Sequence, residues 1–328
     1  MAELRFALDR SRLDRIRFGA ALVTTEPAVF RIAGPGAVAC LQGLLTNDVE
    51  QPGDQSLIYG ALLTPKGMIV IDAWVLRQPQ GLTLVTPASG HAAAVGLLQR
   101  QLPPRLAQVT DLTGQARVTW LLGGQGFQVL AKSGIGIPES AGRVTDIGGD
   151  LHPLALALAP ETAHFVALGV GLAPATDILV QGLLEAGATV GDEVDLHASR
   201  ILAGWPALGA EIDERTLPQE MRYDEIGGVS YTKGCYTGQE TVARLHFRGH
   251  TNREIKGLRW SGPASLEGSS VTSGVREVGT VRSTLTLDDR MLGLGVLRRE
   301  VAVGDRVVAG GRPAVVAALP FGADDVDA

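Results

Sequence analysis

The chain has 328 residues, with 29 lysines and arginines against 35 aspartates and glutamates, and 45% of its residues are hydrophobic. This length predicts two domains, or one large domain with an appendage, that need no metal or disulfide to fold. The composition excludes wholesale disorder, and the net charge of −6 argues against a broad nucleic-acid-binding surface. No apolar run approaches the roughly 18 residues that span a bilayer.

Cysteine is scarce, with Cys40 and Cys235 as the two examples. Two distant cysteines form no disulfide framework and cannot by themselves hold an iron–sulfur cluster. The first residues, MAELRFALDRSRLDRIRFG, carry a charge every few positions, unlike a secretory signal. We therefore expect a protein of the reducing cytoplasm.

The first half of the chain mixes helical and strand periodicities. Apolar residues at helical spacing predict a helix over 37–45. Residues 56–63 and 68–76 predict two strands, and the turn at 64–67, Thr-Pro-Lys-Gly, predicts that they form a β-hairpin. A third strand is expected over 82–86.

The middle of the chain favours helices on either side of a glycine-rich stretch. A helix is expected over 88–102, and short strands and turns over 123–149, which contain eight glycines. A second helix is predicted from Thr176, as its N-cap, to Gly187, and a third over 195–204. Strands and helices do not alternate regularly, so the expected fold class is α+β rather than a doubly wound sheet.

From about residue 252, helical periodicity gives way to short β-rich segments separated by turns, which predict a small barrel or sandwich. These segments are 254–260, 278–283, 293–297, 306–308 and 312–317. We place the domain boundary near residue 250, with one domain over 1–250 and a second over 251–328. The tail 323–328 is expected to be unstructured.

Two patterns that resemble ligand sites are better explained by ordinary structure. Residues 126–133 lack the second glycine of a phosphate-binding loop, and 127–130 favour a strand. His246 and His250 lie four residues apart, but Gly249 interrupts a shared helical face and no fourth zinc ligand is evident. We therefore assign no metal site.

The segment 233–244, KGCYTGQETVAR, carries the most chemical information. Thr237 and Glu240 are spaced as a capping box, in which the threonine hydroxyl and the glutamate satisfy each other's backbone amides. This spacing predicts a helix from about Gly238 to about Leu245.

Cys235 would then precede the cap, at the positive end of the helix dipole. Lys233 lies two residues away, and both effects favour the thiolate over the thiol. A reactive thiol and an inert, buried side chain both remain open interpretations of a single cysteine.

The same segment resembles the signature of the YgfZ-type proteins, folate-binding relatives of the glycine cleavage T-protein that support iron–sulfur cluster assembly or maintenance. Residues 34–49 and 59–72 are similar to the amino-terminal stretches of that family, and 200–220 to a further run. The resemblance extends over nearly the whole chain and is weakest between residues 105 and 195. The motif residues are Lys233, Gly234, Cys235, Tyr236, Gly238, Gln239 and Glu240.

The resemblance implies a T-protein-like folate-binding domain followed by a small β-barrel, with tetrahydrofolate or a one-carbon derivative as the cofactor. Tyr59 and Asp72 match the tyrosine and the aspartate that contact folate in this superfamily. A pterin is a flat π-system with amine donors, which suits an aromatic wall and an acceptor carboxylate. The glutamate tail of folate needs arginine, for which Arg244 and Arg248 are the candidates.

Three functions remain open. The leading hypothesis is an accessory factor that binds folate and presents Cys235 to an iron–sulfur client or assembly protein, without classical turnover. An aminomethyltransferase of glycine cleavage is the first alternative, although the pair Ile71-Asp72 keeps one of the two acids usual in T-proteins. A thiol-transfer or redox enzyme centred on Cys235 is the second. None of the three needs nucleic acid or a membrane.

Overall fold

The computed structural model describes residues 4–147, 154–262 and 266–327. The strands are β1 (Leu4–Ala7), β2 (Ala21–Thr25), β3 (Ala28–Ala33), β4 (Ser56–Leu63), β5 (Ile69–Gln78), β6 (Gly81–Thr86), β7 (Gln108–Asp111), β8 (Ala116–Leu122), β9 (Val144–Ile147), β10 (Leu154–Leu158), β11 (Ala167–Leu172), β12 (Thr189–Val190), β13 (Arg253–Ser261), β14 (Ser270–Ser273), β15 (Arg276–Thr286), β16 (Arg290–Arg298), β17 (Arg306–Ala309) and β18 (Arg312–Ala317).

The helices are α1 (Arg10–Phe18), α2 (Ala37–Gln42), α3 (His91–Gln101), α4 (Gly126–Lys132), α5 (Ala173–Glu185), α6 (Glu193–Leu202), α7 (Gln239–Arg248) and α8 (Ala323–Asp327). Single 3₁₀ turns lie at Ala88–Gly90 and Pro218–Met221. None of these described helices combines the length and the apolar character that a bilayer crossing needs.

The strands form three sheets, which confirms the predicted α+β class. A five-stranded sheet has the order β4-β5-β6-β3-β7, and a six-stranded sheet the order β12-β2-β8-β11-β10-β9. The strands from β13 to β18 close into a barrel, because β15 pairs with β14 on one side and with β16 on the other. The amino-terminal β1 joins this barrel by pairing in parallel with β15.

One apolar core connects all three sheets. It contains Trp74 and Leu76 of the five-stranded sheet, Trp120 of the six-stranded sheet, Ile201 of α6 and Leu292 of the barrel. Strand side chains alternate between the two faces of a sheet, so every second residue of β5 and β8 points into this shared layer. The layer is therefore where a ligand cavity can form between the sheets.

Most predicted strands are confirmed at nearly the expected bounds. The hairpin of β4 and β5 turns through Thr64-Pro65-Lys66-Gly67, where the Gly67 amide donates to the Thr64 carbonyl at 2.9 Å. The five predicted carboxyl-terminal segments all lie in barrel strands, whereas β14 was not expected.

Three local predictions are wrong. Residues 127–130 lie in α4 rather than in a strand, because a short, mostly apolar segment such as Phe-Gln-Val-Leu does not distinguish the two structures. Thr176 lies inside α5, which begins three residues earlier at Ala173, with a proline in its first turn. The tail forms α8, in which the Asp327 carboxylate accepts hydrogen bonds from Arg10 and Arg17, a long-range contact that no local pattern reveals.

Candidate functional site

A cavity of about 290 Å³ opens between the five-stranded sheet, β8 and α6. Aromatic rings form much of its wall. The Tyr59 ring lies 4.9 Å from the rings of both Trp74 and Trp205, measured between centroids, and Trp120 and His164 complete this wall. Flat apolar walls of this kind favour a flat, conjugated ligand.

Tyr59 and Asp72, both predicted to contact folate, line the cavity together. They come from neighbouring antiparallel strands: Tyr59 of β4 is opposite Trp74 of β5, and Asp72 lies two residues before Trp74 on the same face. The Tyr59 hydroxyl donates to Oδ2 of Asp72 at 2.9 Å. Since the Tyr59 proton is used there, the Tyr223 hydroxyl, 3.2 Å away, donates to the Tyr59 oxygen. We call Tyr59 and Asp72 the cavity floor.

Burial dominates the electrostatics of the cavity floor. It raises the pKa of Asp72 to about 6, although the Tyr59 hydrogen bond and the charge of Arg200 act in the opposite direction. Burial and the neighbouring Asp72 also raise the pKa of Tyr59, so the phenol stays protonated. At neutral pH the cavity floor is therefore a carboxylate beside a phenol donor.

Three polar atoms at the cavity are buried without a hydrogen-bond partner among the described residues: Asp72 Oδ1, Thr86 Oγ1 and His164 Nδ1. A buried polar group without a partner is costly, and native proteins satisfy nearly all of them. All three atoms belong to residues that line the same cavity, which makes this cavity the candidate ligand site.

Two histidines of the cavity wall are neutral at physiological pH. Burial, with the charge of Arg200, lowers the pKa of His164 to about 3 and that of His197 to about 4. Nδ1 of His197 accepts a hydrogen bond from Nε of Arg200 at 3.1 Å, which places the imidazole proton on Nε2. Nδ1 of His164 is buried and has no such partner among the described residues.

Arg200 is the cation of the cavity, and its guanidinium is already occupied. It donates to Glu211 at 3.0 Å and to the Ser283 hydroxyl of β15 at 2.8 Å, in addition to His197. The arginine thus ties α6 and the cavity wall to the barrel. The arginines predicted for the folate tail, Arg244 and Arg248, lie exposed on α7 and are not among the residues that line the cavity.

The cysteine segment, residues 233–238, lies beside the β4–β5 turn. Its helix begins later than predicted: Gly238 is the N-cap of α7, with φ of 84°, and neither Thr237 nor Glu240 caps it. A side chain on Gly238 would meet the Thr64 carbonyl at 2.6 Å, so the close approach of the two turns requires glycine. The capping-box prediction is therefore wrong, whereas the predicted helix is confirmed and begins one residue later, at Gln239.

Cys235 is exposed, whereas Lys233 is buried. Nζ of Lys233 donates to the carbonyls of Gln42, Leu45 and Asn47 at 2.7, 2.7 and 2.8 Å. All three ammonium protons are used, which leaves the expected stabilisation of a Cys235 thiolate by Lys233 without structural support. Burial lowers the pKa of Lys233 to about 8, and nearby Asp48 and Glu50 oppose this effect.

The remaining motif residues surround this segment. The Tyr236 ring is buried and lies 5.1 Å from Nζ of Lys233, a cation–π contact. Gln239 and Glu240 form the first turn of α7, and Gly234 has open space around it. Cys235 is not among the residues that line the cavity.

The sequence analysis missed several residues of the site. Trp74 could have been found, because it shares a strand face with Asp72 by simple alternation. His164 and Thr86 carry no local signal, since their importance lies in unpartnered atoms that only the packed structure reveals.

Comparison with known proteins agrees with this architecture. Residues 17–138 match the GCVT N-terminal domain family. The chain is 28% identical to the tRNA-modifying protein YgfZ of Cronobacter sakazakii, over 84% of each chain. It is 29% identical to the protein of the same name from Klebsiella pneumoniae, over 81% of this chain and 80% of that one.

The glycine cleavage system aminomethyltransferase T of Bartonella henselae has a similar structure, with a TM-score of 0.80 and 19% identity, over 95% of this chain and 89% of that one. At this identity the likeness concerns the fold. The resemblance inferred from the sequence is thereby confirmed: the chain is similar in sequence to the YgfZ proteins and has the fold of the glycine cleavage T-protein.

Proposed function

We propose that this chain is a tetrahydrofolate-binding accessory factor that serves an iron–sulfur client or assembly protein. The observation that carries the proposal is the aromatic cavity with three unpartnered polar atoms, one of them on Asp72. The GCVT domain and the relatives support a folate-related role in general terms.

The chemistry of the cavity suits a reduced pteridine. Its ring would pack against Tyr59 and Trp74, its amine donors would meet Oδ1 of Asp72, and Nδ1 of His164 offers a second acceptor. Ligand cavities commonly hold about 300–1,000 Å³, so about 290 Å³ suits the bicyclic ring better than the whole vitamin. Bound tetrahydrofolate would supply a carrier for one-carbon units.

The remainder of the ligand would extend towards solvent. Its glutamate carboxylates need cations outside the cavity, because the guanidinium of Arg200 already donates to His197, Trp205, Glu211 and Ser283 and is neutralised by Glu211. Arg244 and Arg248 are exposed, and no described residue pairs with either, so they remain our candidates for the tail.

The exposed Cys235 supports the part of the proposal that concerns a partner protein. A thiol at the surface, on a segment anchored by a buried lysine, is placed to meet another protein rather than a ligand in the cavity. The relatives are named as tRNA-modifying proteins, and we propose that the client acts in that process. Two free cysteines are in keeping with a reducing, cytoplasmic setting.

Isothermal titration calorimetry with tetrahydrofolate tests the cavity. We expect saturable binding to the wild type, a loss of about tenfold or more in affinity for Asp72→Asn, and wild-type affinity for the matched control Asp111→Asn on exposed β7. Absence of binding to the wild type would remove the folate proposal.

A second assay separates the accessory factor from the alternative of aminomethyl transfer. The protein is incubated with tetrahydrofolate and an aminomethylated lipoyl carrier protein, and methylene-tetrahydrofolate is measured. The accessory role predicts no product above background, whereas steady turnover would establish the transferase instead.

A further inference from the structure

The loop of residues 42–48, which begins at the last residue of α2, lies between the cysteine segment and the cavity floor. On one side it receives the Lys233 ammonium through the three carbonyls described above. The Thr237 amide adds a fourth contact by donating to the Gly43 carbonyl at 3.0 Å. The cysteine segment is thus attached to this loop at both of its ends.

On its other side the 42–48 loop holds β4 at Tyr59. Nδ2 of Asn47 donates to the Tyr59 carbonyl at 2.9 Å and to the Gly227 carbonyl at 2.7 Å. The Thr46 amide donates to the Ala61 carbonyl at 2.9 Å, and the Thr46 hydroxyl accepts from the Ala61 amide at 2.9 Å. The loop therefore sets the position of the strand that carries the cavity floor.

The same loop supports the second tyrosine of the hydroxyl chain. The Thr46 hydroxyl donates to the Gly228 carbonyl at 2.6 Å. Gly228 packs directly on the Tyr223 ring, where an added Cβ would lie 2.5 Å from a ring carbon. Tyr223 in turn donates to the Tyr59 hydroxyl. The loop therefore supports Tyr59 at its backbone carbonyl directly and at its hydroxyl through Tyr223.

We propose that Lys233 is a positioning residue that couples the cysteine segment to the cavity floor through the 42–48 loop. The inference rests on the proposed function for the identity of the ligand. Ligand binding in the cavity then restrains the cysteine segment, and loss of the Lys233 hydrogen bonds makes Tyr59 more mobile. Because coupling between two sites is reciprocal, each effect implies the other.

The geometry of the ammonium explains why lysine is needed. Three carbonyl oxygens at hydrogen-bond distance suit the three protons of a compact ammonium group. An arginine would bring a planar fork of five donors into the same buried space and could not reproduce this arrangement. The conservative variant Lys233→Arg should therefore fail to restore the coupling.

The experiment compares the wild type with Lys233→Met, Lys233→Arg and a matched control, Lys256→Met. Lys256 also donates to two backbone carbonyls, those of Arg299 and Val301, but it lies in the barrel. Three quantities are measured: tetrahydrofolate affinity by calorimetry, the alkylation rate of Cys235 by peptide mass spectrometry with and without tetrahydrofolate, and amide hydrogen exchange over β4. Half-buried Cys40 serves as an internal reference.

Coupling predicts that tetrahydrofolate slows Cys235 alkylation several-fold in the wild type and in Lys256→Met, but not in Lys233→Met or Lys233→Arg. Both Lys233 variants should also lose about tenfold in affinity and exchange β4 amides faster while remaining folded. Wild-type affinity together with wild-type protection of Cys235 in Lys233→Met would overturn the inference.

The proposed function and the coupling fail in different ways. If the wild type does not bind tetrahydrofolate, the proposed function falls, and ligand-free exchange over β4 still decides the coupling. Unchanged exchange in Lys233→Met overturns it, whereas faster exchange there but not in Lys256→Met supports it.

Discussion

The Tyr59 hydroxyl lies 2.9 Å from one carboxylate oxygen of Asp72, and the other carboxylate oxygen has no partner among the described residues. Asp72 is only 5% exposed, so this free oxygen is held away from water. A half-satisfied, buried carboxylate costs stability in the ligand-free protein. Such a cost is expected where a residue is kept for binding rather than for folding.

We predict that Asp72→Asn makes the ligand-free protein more stable at neutral pH. The folded-state pKa of Asp72 is raised from its ordinary 3.8 to about 6, so the ionised form is the disfavoured one. A rise of this size corresponds to about 3 kcal/mol, and we expect a gain of about 1–3 kcal/mol because asparagine keeps only part of the contacts. Urea unfolding at pH 7.5 measures it.

The same raised pKa predicts how the stability difference between the wild type and Asp72→Asn changes with pH. Between pH 4 and 6 the folded protein binds a proton at Asp72 that the unfolded chain has released, so wild-type stability falls as pH rises through this window. The advantage of Asp72→Asn should therefore be small at pH 4 and full above pH 7. An equal advantage at both pH values would contradict the raised pKa.

Tetrahydrofolate affinity should depend on pH through Asp72. Its ionised carboxylate accepts hydrogen bonds from amine donors better than the neutral acid, so affinity should rise with pH around a midpoint near 6. His164 and His197 have pKa values of about 3 and 4 and add no step between pH 5 and 7, a range that also stays below the pKa of Lys233, about 8. Calorimetry across this range should show one transition in the wild type and none in Asp72→Asn.

Much of this site follows from local strand and turn patterns. The β4–β5 hairpin was predictable because two nearly continuous apolar runs flank a Thr-Pro-Lys-Gly turn, and once the hairpin is known Tyr59 and Asp72 must come close together. The barrel was predictable for the same reason, since short strands between turns leave a strong local pattern.

The parts of the site that could not be predicted from the sequence depend on contacts between residues far apart in the chain. Lys233 finds its carbonyl partners nearly 190 positions away, and Arg200 meets Ser283 across 83 positions. Neither contact has a local signature. The capping-box error at Thr237 has the same origin, because the approach of the β4–β5 turn, rather than local spacing, decides where α7 begins.

His164→Phe should separate binding from stability. Phenylalanine keeps the ring against Trp120 and Trp205 but removes the unpartnered Nδ1 atom. We expect unchanged or slightly greater stability, since removal of an unsatisfied buried polar atom costs nothing. Tetrahydrofolate affinity should fall by about five- to tenfold, the loss of about one hydrogen bond. Calorimetry and urea unfolding measure the two effects; retained affinity would show that His164 does not contact the ligand.

Glu211→Gln should be strongly destabilising. Glu211 is fully buried and neutralises Arg200, and it also accepts from Ser283 of the barrel. Removal of one partner of a buried ion pair leaves an uncompensated charge and typically costs about 3–5 kcal/mol. The exposed pair Arg276–Glu300 is the matched control, and Glu300→Gln should cost less than about 1 kcal/mol. Equal losses of unfolding free energy in the two variants, measured with urea, would show that the buried ion pair contributes no more to stability than the exposed one.

Cys235→Ser should leave tetrahydrofolate affinity within about twofold of the wild type. The thiol is exposed, does not line the cavity, and forms none of the hydrogen bonds that hold the 42–48 loop. Substitution of Lys233, two residues away, should have the opposite effect, because the Lys233 ammonium holds that loop. Calorimetry on the two variants side by side tests the contrast. A large loss of affinity in Cys235→Ser would mean that the thiol reaches the ligand, and the division between a folate cavity and a separate partner-facing cysteine would have to be abandoned.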